Sequence, residues 1–131
     1  MAANSDGRQA NREGFQEVFD GLWSILRPYA KRMAVKEGPM GGLCLACGFD
    51  DGRKQPTYFA GAAVRKAYVS YHLMPVYCFP DLLRGISPAL RRRMQGKSCF
   101  NFRRVDATLF RELQALTQAG YRRFRKEGLA R

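Results

Sequence analysis

The residues of this 131-residue chain with chemistry to offer are one histidine, four cysteines and a set of hydroxyl, amide and arginine side chains. His72 stands in the β-prone run Tyr68-Val69-Ser70-Tyr71-His72-Leu73, where alternate residues share a face, so Tyr68, Ser70 and His72 fall together. The same rule groups Cys99, Asn101 and Arg103 in the aromatic run Ser98-Cys99-Phe100-Asn101-Phe102-Arg103. If the two runs pair and turn Val69, Tyr71, Leu73, Phe100 and Phe102 to a core, the polar set converges on the other side. That side is a candidate recognition surface, with His72 near its midpoint and able to change charge around a pKa of about 6.5. The plainer alternative is a partly solvated sheet face whose polar groups bond one another. Catalysis gains little from it: Ser70 and His72, two apart on a strand, stand about 7 Å from each other, and no third acid is placed to orient them. A binding role is expected rather than an enzyme.

Lys97 follows Gly96 where a helix is expected to return to a strand, and with nearby amides it could hold an anion; a phosphate loop, however, runs from strand to helix and needs more glycines. Cys44-x-x-Cys47, with Cys78 and Cys99, invites a zinc reading, yet residues three apart on a strand face opposite ways, and free thiols explain them more simply. Glu13, Glu17 and Asp20 line one helix face and could hold a cation such as iron, although acids near a helix N-terminus are also what the macrodipole favours.

Charge is unevenly spread. Residues 84–131 hold 13 Lys plus Arg against 3 Asp plus Glu, whereas residues 1–83 hold 10 against 8. Arg91, Arg92, Arg122 and Arg125 are therefore candidate contacts for a polyanion, and nucleic acid is the competing partner class beside an unidentified protein or small ligand. No recognition-helix or stacking signature accompanies them.

The elements that must position these residues are legible from periodicity. In Glu13 to Tyr29, Phe15, Val18, Phe19, Leu22, Ile25, Leu26 and Tyr29 fall on one arc of a helix, ended near Pro28. Strands are expected at Leu43–Phe49, Thr57–Val64, Ala67–Met74 and Ser98–Arg104, the first three as an antiparallel meander. Ser87-Pro88 starts a short helix over Ala89–Gln95 that Gly96 ends, and Asp106 caps a final helix burying Leu109, Leu113, Leu116 and Gly120 with Phe110, Thr117, Tyr121 and Phe124. The expected fold is α+β, a four-stranded antiparallel sheet in the order α-β-β-β-α-β-α, with N- and C-terminal helices on one face. Residues 1–12 are expected to form a disordered or frayed tail and 13–127 one domain. An apolar content of 46% argues for a folded core, and no apolar run approaches the roughly 18 residues that would span a bilayer. Without the hydrophobic stretch of a secretory signal, a cytoplasmic location with reduced thiols is expected.

The phrases Tyr68-Val69-Ser70-Tyr71-His72-Leu73-Met74-Pro75-Val76-Tyr77, Ile86-Ser87-Pro88-Ala89-Leu90 and Met94-Gln95-Gly96-Lys97-Ser98-Cys99-Phe100-Asn101-Phe102 resemble the bacterial YdhG-like family, a domain of unknown function. The likeness extends in outline over residues 15–125. It implies a frataxin-like arrangement and little about activity. One branch of that family is described as an intracellular iron chaperone, which makes iron the alternative to having no cofactor; the strong positive charge here weighs against it.

Overall fold

The computed structural model describes residues 2–38, 41–47 and 57–130, with side chains from Gly14 onward. Helix α1 (Ala2–Leu26) begins upstream of the Glu13 start that periodicity suggests, and its buried residues are Val18, Leu22, Ile25 and Leu26. Pro28 has no amide hydrogen to give, and the α-helix stops at Leu26, tightening into a 3-10 turn over Arg27–Lys31. Strands β1 (Ala34–Glu37), β2 (Leu43–Cys47), β3 (Thr57–Val64) and β4 (Val69–Leu73) follow. Then come helices α2 (Met74–Cys78) and α3 (Pro88–Arg91), strands β5 (Met94–Gln95) and β6 (Cys99–Phe102), and helix α4 (Ala107–Lys126).

The class is α+β, as expected, but among the described residues the sheet has six strands rather than four, all antiparallel, in the order β1-β2-β3-β4-β6-β5. Both extra strands lie at edges. β1 reads Ala-Val-Lys-Glu with only Ala34 half-buried, so no alternation marks it, and its charges suit an edge. β5 corrects the expected helix over Ala89–Gln95. That helix ends at Arg91, and Met94–Gln95 turns back to pair with β6. Gly96 takes the left-handed conformation foreseen for it, at φ +72°, but as the corner of the β5–β6 hairpin.

Both terminal helices cover one face of the sheet. The arc read from α4 is buried as a set: Leu109, Phe110, Leu113, Leu116, Thr117, Gly120, Tyr121 and Phe124. Against it lie Val69, Tyr71, Leu73, Phe100 and Phe102, with Leu22 and Leu26 of α1. Full burial of such side chains contributes about 1.5–3 kcal/mol each. Asp106 caps α4 by accepting from the Leu109 amide at 3.0 Å. Ser87 caps α3 by accepting from Leu90 at 3.0 Å, and Glu112 of α4 fixes the cap by accepting from the Ser87 amide at 2.7 Å and hydroxyl at 2.6 Å. In the core, the Thr117 hydroxyl donates to the Leu113 carbonyl at 2.7 Å, so its single proton is used. Tyr71 must then donate to Thr117 Oγ1, 2.5 Å away.

One irregularity shapes the other face. On β3, Ala60 lies opposite Leu45 and Tyr58 opposite Ala46, which leaves Phe59 as an extra residue. Phe59 and Ala60 consequently both turn to the core, and Tyr58 joins the opposite face, which is bare of described elements.

Candidate functional site

The side of the sheet away from α1 and α4 is organised in rows by the strand register. One row reads Cys44, Gly61, His72, Cys99, Gln95 across β2, β3, β4, β6 and β5. Its neighbour reads Ala63, Ser70, Asn101. Along β4 and β6 burial alternates as expected: Ser70, His72, Cys99 and Asn101 are half-exposed and their neighbours buried. Tyr68 lies just before β4 on the same side, also half-exposed.

The rows form a hollow of about 560 Å³. Its floor is β3, where Gly61 and Ala63 present almost no side chain; Gly61 lies between Cys44 and His72, and Ala63 lies beside Ser70. Tyr58 folds over Gly61 so closely that a methyl group there would sit 2.5 Å from the tyrosine oxygen. The Tyr58 and His72 rings meet at 5.0 Å between centroids, tilted by 44°. Met74 and Tyr68 add apolar wall, while Ser70, Asn101 and Gln95 add polar groups. Asn101 Nδ2 donates to Gln95 Oε1 at 2.6 Å, and Asn101 Oδ1 is closed off from solvent with no partner among the described residues. A buried acceptor left this way costs free energy.

Burial sets the electrostatics here. It lowers the His72 pKa, so the imidazole is neutral at neutral pH and offers one donor and one acceptor. It raises the Tyr58 phenol well above its ordinary range, with Cys44 and Cys99 adding to the effect, so Tyr58 stays an O–H donor. Burial also raises the Cys44 thiol, against the pull of Lys36. Among the described residues lining the hollow, Arg65 alone carries a formal charge.

Of the residues expected on this surface, Tyr68, Ser70, His72 and Asn101 are brought together around the hollow. Arg103 and Lys97 are not part of its lining: Arg103 is exposed just beyond β6, and the Lys97 ammonium sits 6.0 Å from the centre of the Tyr77 ring. Periodicity missed Tyr58, Gly61, Met74, Gln95 and Arg65. Strict alternation groups Tyr58 with Ala60 and Ala62, and only the bulge at Phe59 moves it; a glycine inside a strand was the available sign of a bulge or close approach.

Elsewhere, Cys44 faces the bare side and Cys47 the core, where its thiol donates to Leu129 O at 3.1 Å. Cys78 is exposed on α2. No group of three His, Cys, Asp or Glu side chains among the described residues is close enough to hold a metal ion. Glu13 lies outside the described side chains; Glu17 and Asp20 are exposed, and Asp20 accepts from Gln16 at 2.8 Å. Arg91, Arg92, Arg122 and Arg125 are all exposed on or beside α3 and on α4. Arg91 donates to the Leu83 carbonyl at 3.0 Å, and the Arg125 guanidinium lies 5.9 Å from the centre of the Tyr121 ring. No helix among the described residues is long and apolar enough to cross a membrane.

No family model matches the chain, and no curated protein and no solved structure matches it significantly.

Proposed function

We propose that this chain is a binding module that takes a small, largely apolar molecule into the hollow on the bare face of its sheet. The observation that carries this reading is the hollow itself. Its volume of about 560 Å³ lies within the roughly 300–1,000 Å³ of small-molecule sites, and like them it is mostly apolar with a few polar groups. Gly61 and Ala63 make the floor, and Ser70, Asn101 and Gln95 supply the polar groups of the lining. Binding rather than catalysis is favoured because Ser70 and His72 occupy separate rows two residues apart on β4, with no carboxylate among the described lining residues to orient the imidazole. Two terminal helices on one side of a continuous antiparallel sheet also support reading the fold as the frataxin-like arrangement of the YdhG-like family.

The test is to screen small aromatic and aliphatic fragments by amide chemical-shift mapping on the full chain. Binders with dissociation constants of about 1 mM or tighter should move the amides of Gly61, Ser70, His72 and Asn101. Ser70→Phe should abolish those shifts, because an aromatic side chain suits a strand and would fill the hollow. Fragments that shift only α3 and α4, or an absence of any binder, would remove the reading.

A further inference from the structure

Helices α1 and α4 lie side by side and run the same way. Gly21 of α1 faces the Phe110 ring early in α4, where an added methyl group would meet it at 2.9 Å, and Tyr29, just past α1, meets Tyr121 late in α4 with ring centroids 5.1 Å apart. Their C-terminal ends therefore fall together, and the fold gathers there two basic segments that are distant in the chain. Arg27, Lys31 and Arg32 come from the turn after α1, and Arg122, Arg125 and Lys126 from the last turns of α4; all six are exposed. Side-chain contacts tie the two groups together. Arg32 Nη1 donates to the Tyr121 hydroxyl at 3.4 Å, and the Arg125 guanidinium lies 5.9 Å from the centre of the same ring. Arg122 acts on the other tyrosine: burial and then Tyr121 raise the Tyr29 phenol, and Arg122 pulls the other way.

Little at this end offsets the charge. Two helix C-termini supply roughly half a negative charge each, against six positive side chains. Glu127 is the carboxylate at the end of α4, and Arg123 holds it at 3.1 Å. None of the six bases forms an ion pair with a described carboxylate. We propose that this paired helix end binds the phosphate backbone of duplex nucleic acid without reading its bases. The chemistry of the surface selects that partner. Four of the six bases are arginines, whose forked guanidinium matches phosphate. Among the described residues no large exposed apolar side chain lies on either helix end. The surface thus lacks both the wedge that an anionic membrane would take and the apolar anchor on which a protein interface is centred. Base stacking is not on offer either: Tyr121 is buried, and Tyr29 packs on Phe59 and Tyr121. Charge along the chain points to residues 84–131, and the fold adds Arg27, Lys31 and Arg32 to them. The surface lies on the helix side of the sheet, so the proposal holds whatever fills the hollow.

The test is fluorescence anisotropy of a labelled DNA duplex, titrated with the full chain at several salt concentrations. Contact with about four phosphates gives a slope of about −3.6 in log K against log salt, so affinity should fall about 100-fold from about 50 to about 200 mM salt. Arg122→Gln with Lys126→Gln should flatten the slope by about 2. Arg27→Gln with Lys31→Gln should do the same from the other segment. Arg92→Gln with Arg104→Gln, exposed residues beside α3 and before the start of α4, removes equal charge and should leave the slope in place. Equal losses from all three pairs mean that overall charge carries the binding, and overturn the proposal. A loss confined to the α4 pair overturns the joint surface. No binding at low salt, binding indifferent to salt, or tighter binding to phosphatidylserine vesicles or polyglutamate than to the duplex overturns it as well.

Discussion

Gly61→Ala is the sharpest probe of the hollow's floor. An added methyl carbon would lie 2.5 Å from the Tyr58 oxygen, 2.8 Å from the Leu43 carbonyl oxygen and 3.0 Å from Cys44 Cβ. Of these neighbours, the tyrosine can swing away at its far end. The Leu43 carbonyl cannot, because Leu43 is held in register against Ala62 and Glu37. Overpacking by one carbon against a fixed backbone costs about 1–3 kcal/mol, and the reduced freedom of the unfolded chain returns about 0.4–1 kcal/mol. A net loss of about 1–2 kcal/mol is therefore expected, a fall of about 4–8 °C in Tm for a domain of this size. The measurement is urea and thermal unfolding followed by circular dichroism, with Tyr58→Phe as the second arm of a double-mutant cycle. Removing the hydroxyl eliminates the shortest contact but not the carbonyl contact, so the cost of Gly61→Ala should shrink by about 0.5–1 kcal/mol without vanishing. A neutral or stabilising Gly61→Ala would refute the close approach of β2 to β3. An undiminished cost in the Tyr58→Phe background would show that the ring does not lie across the glycine.

Two further outcomes are expected. Burial holds the folded pKa of His72 below its ordinary value near 6.5, so on acidification the unfolded chain takes up a proton before the folded one does; stability should be level above about pH 6.5 and decline below it until the folded value is passed. Urea midpoints across that window should fall more steeply for the parent than for His72→Gln, and parallel curves would show that His72 titrates alike in both states. In the core, Thr117→Val strands the Tyr71 hydroxyl proton with no acceptor, whereas Tyr71→Phe leaves Thr117 bonded to the Leu113 carbonyl. Thr117→Val should cost about 1–3 kcal/mol and Tyr71→Phe less; the reverse order by denaturant unfolding would mean that the proton runs the other way.

What the sequence made legible is what repeats. The arc of α4 could be read residue by residue because eight positions obey one period, and the split of β4 and β6 into Val69, Tyr71, Leu73, Phe100, Phe102 against Ser70, His72, Asn101 because strands obey another. Caps were equally plain, since Ser87 and Asp106 each act within three residues of their own position. The edge strands were not. Val35, Lys36 and Glu37 are all exposed, so β1 has no buried face to write a pattern, and β5 is two residues long and exists only through its pairing with Cys99 and Phe100. Met94 and Gln95 follow a capped, Arg-rich turn that propensity alone extends as helix; the return of the chain at Gly96 overrides that propensity.

The candidate site depends on the same limit of local pattern. If β3 alternated without interruption from Ala60 backwards, Phe59 would face outward and Tyr58 inward, leaving an apolar ring on the bare side and a phenol in the core. The extra residue sends Phe59 into the cluster of Tyr29, Tyr121 and Phe124, with ring centroids 5.5, 6.0 and 5.9 Å away, and frees Tyr58 to lie over Gly61 beside His72. One backbone irregularity thus completes the aromatic core and builds the wall of the hollow at once. The two cannot be tuned apart: a substitution that straightened β3 would have to unseat Phe59 in order to move Tyr58. Loss of ligand binding through the bulge should therefore always be accompanied by loss of stability, whereas loss through Ser70, whose side chain lies on the side away from the core, should be accompanied by much less.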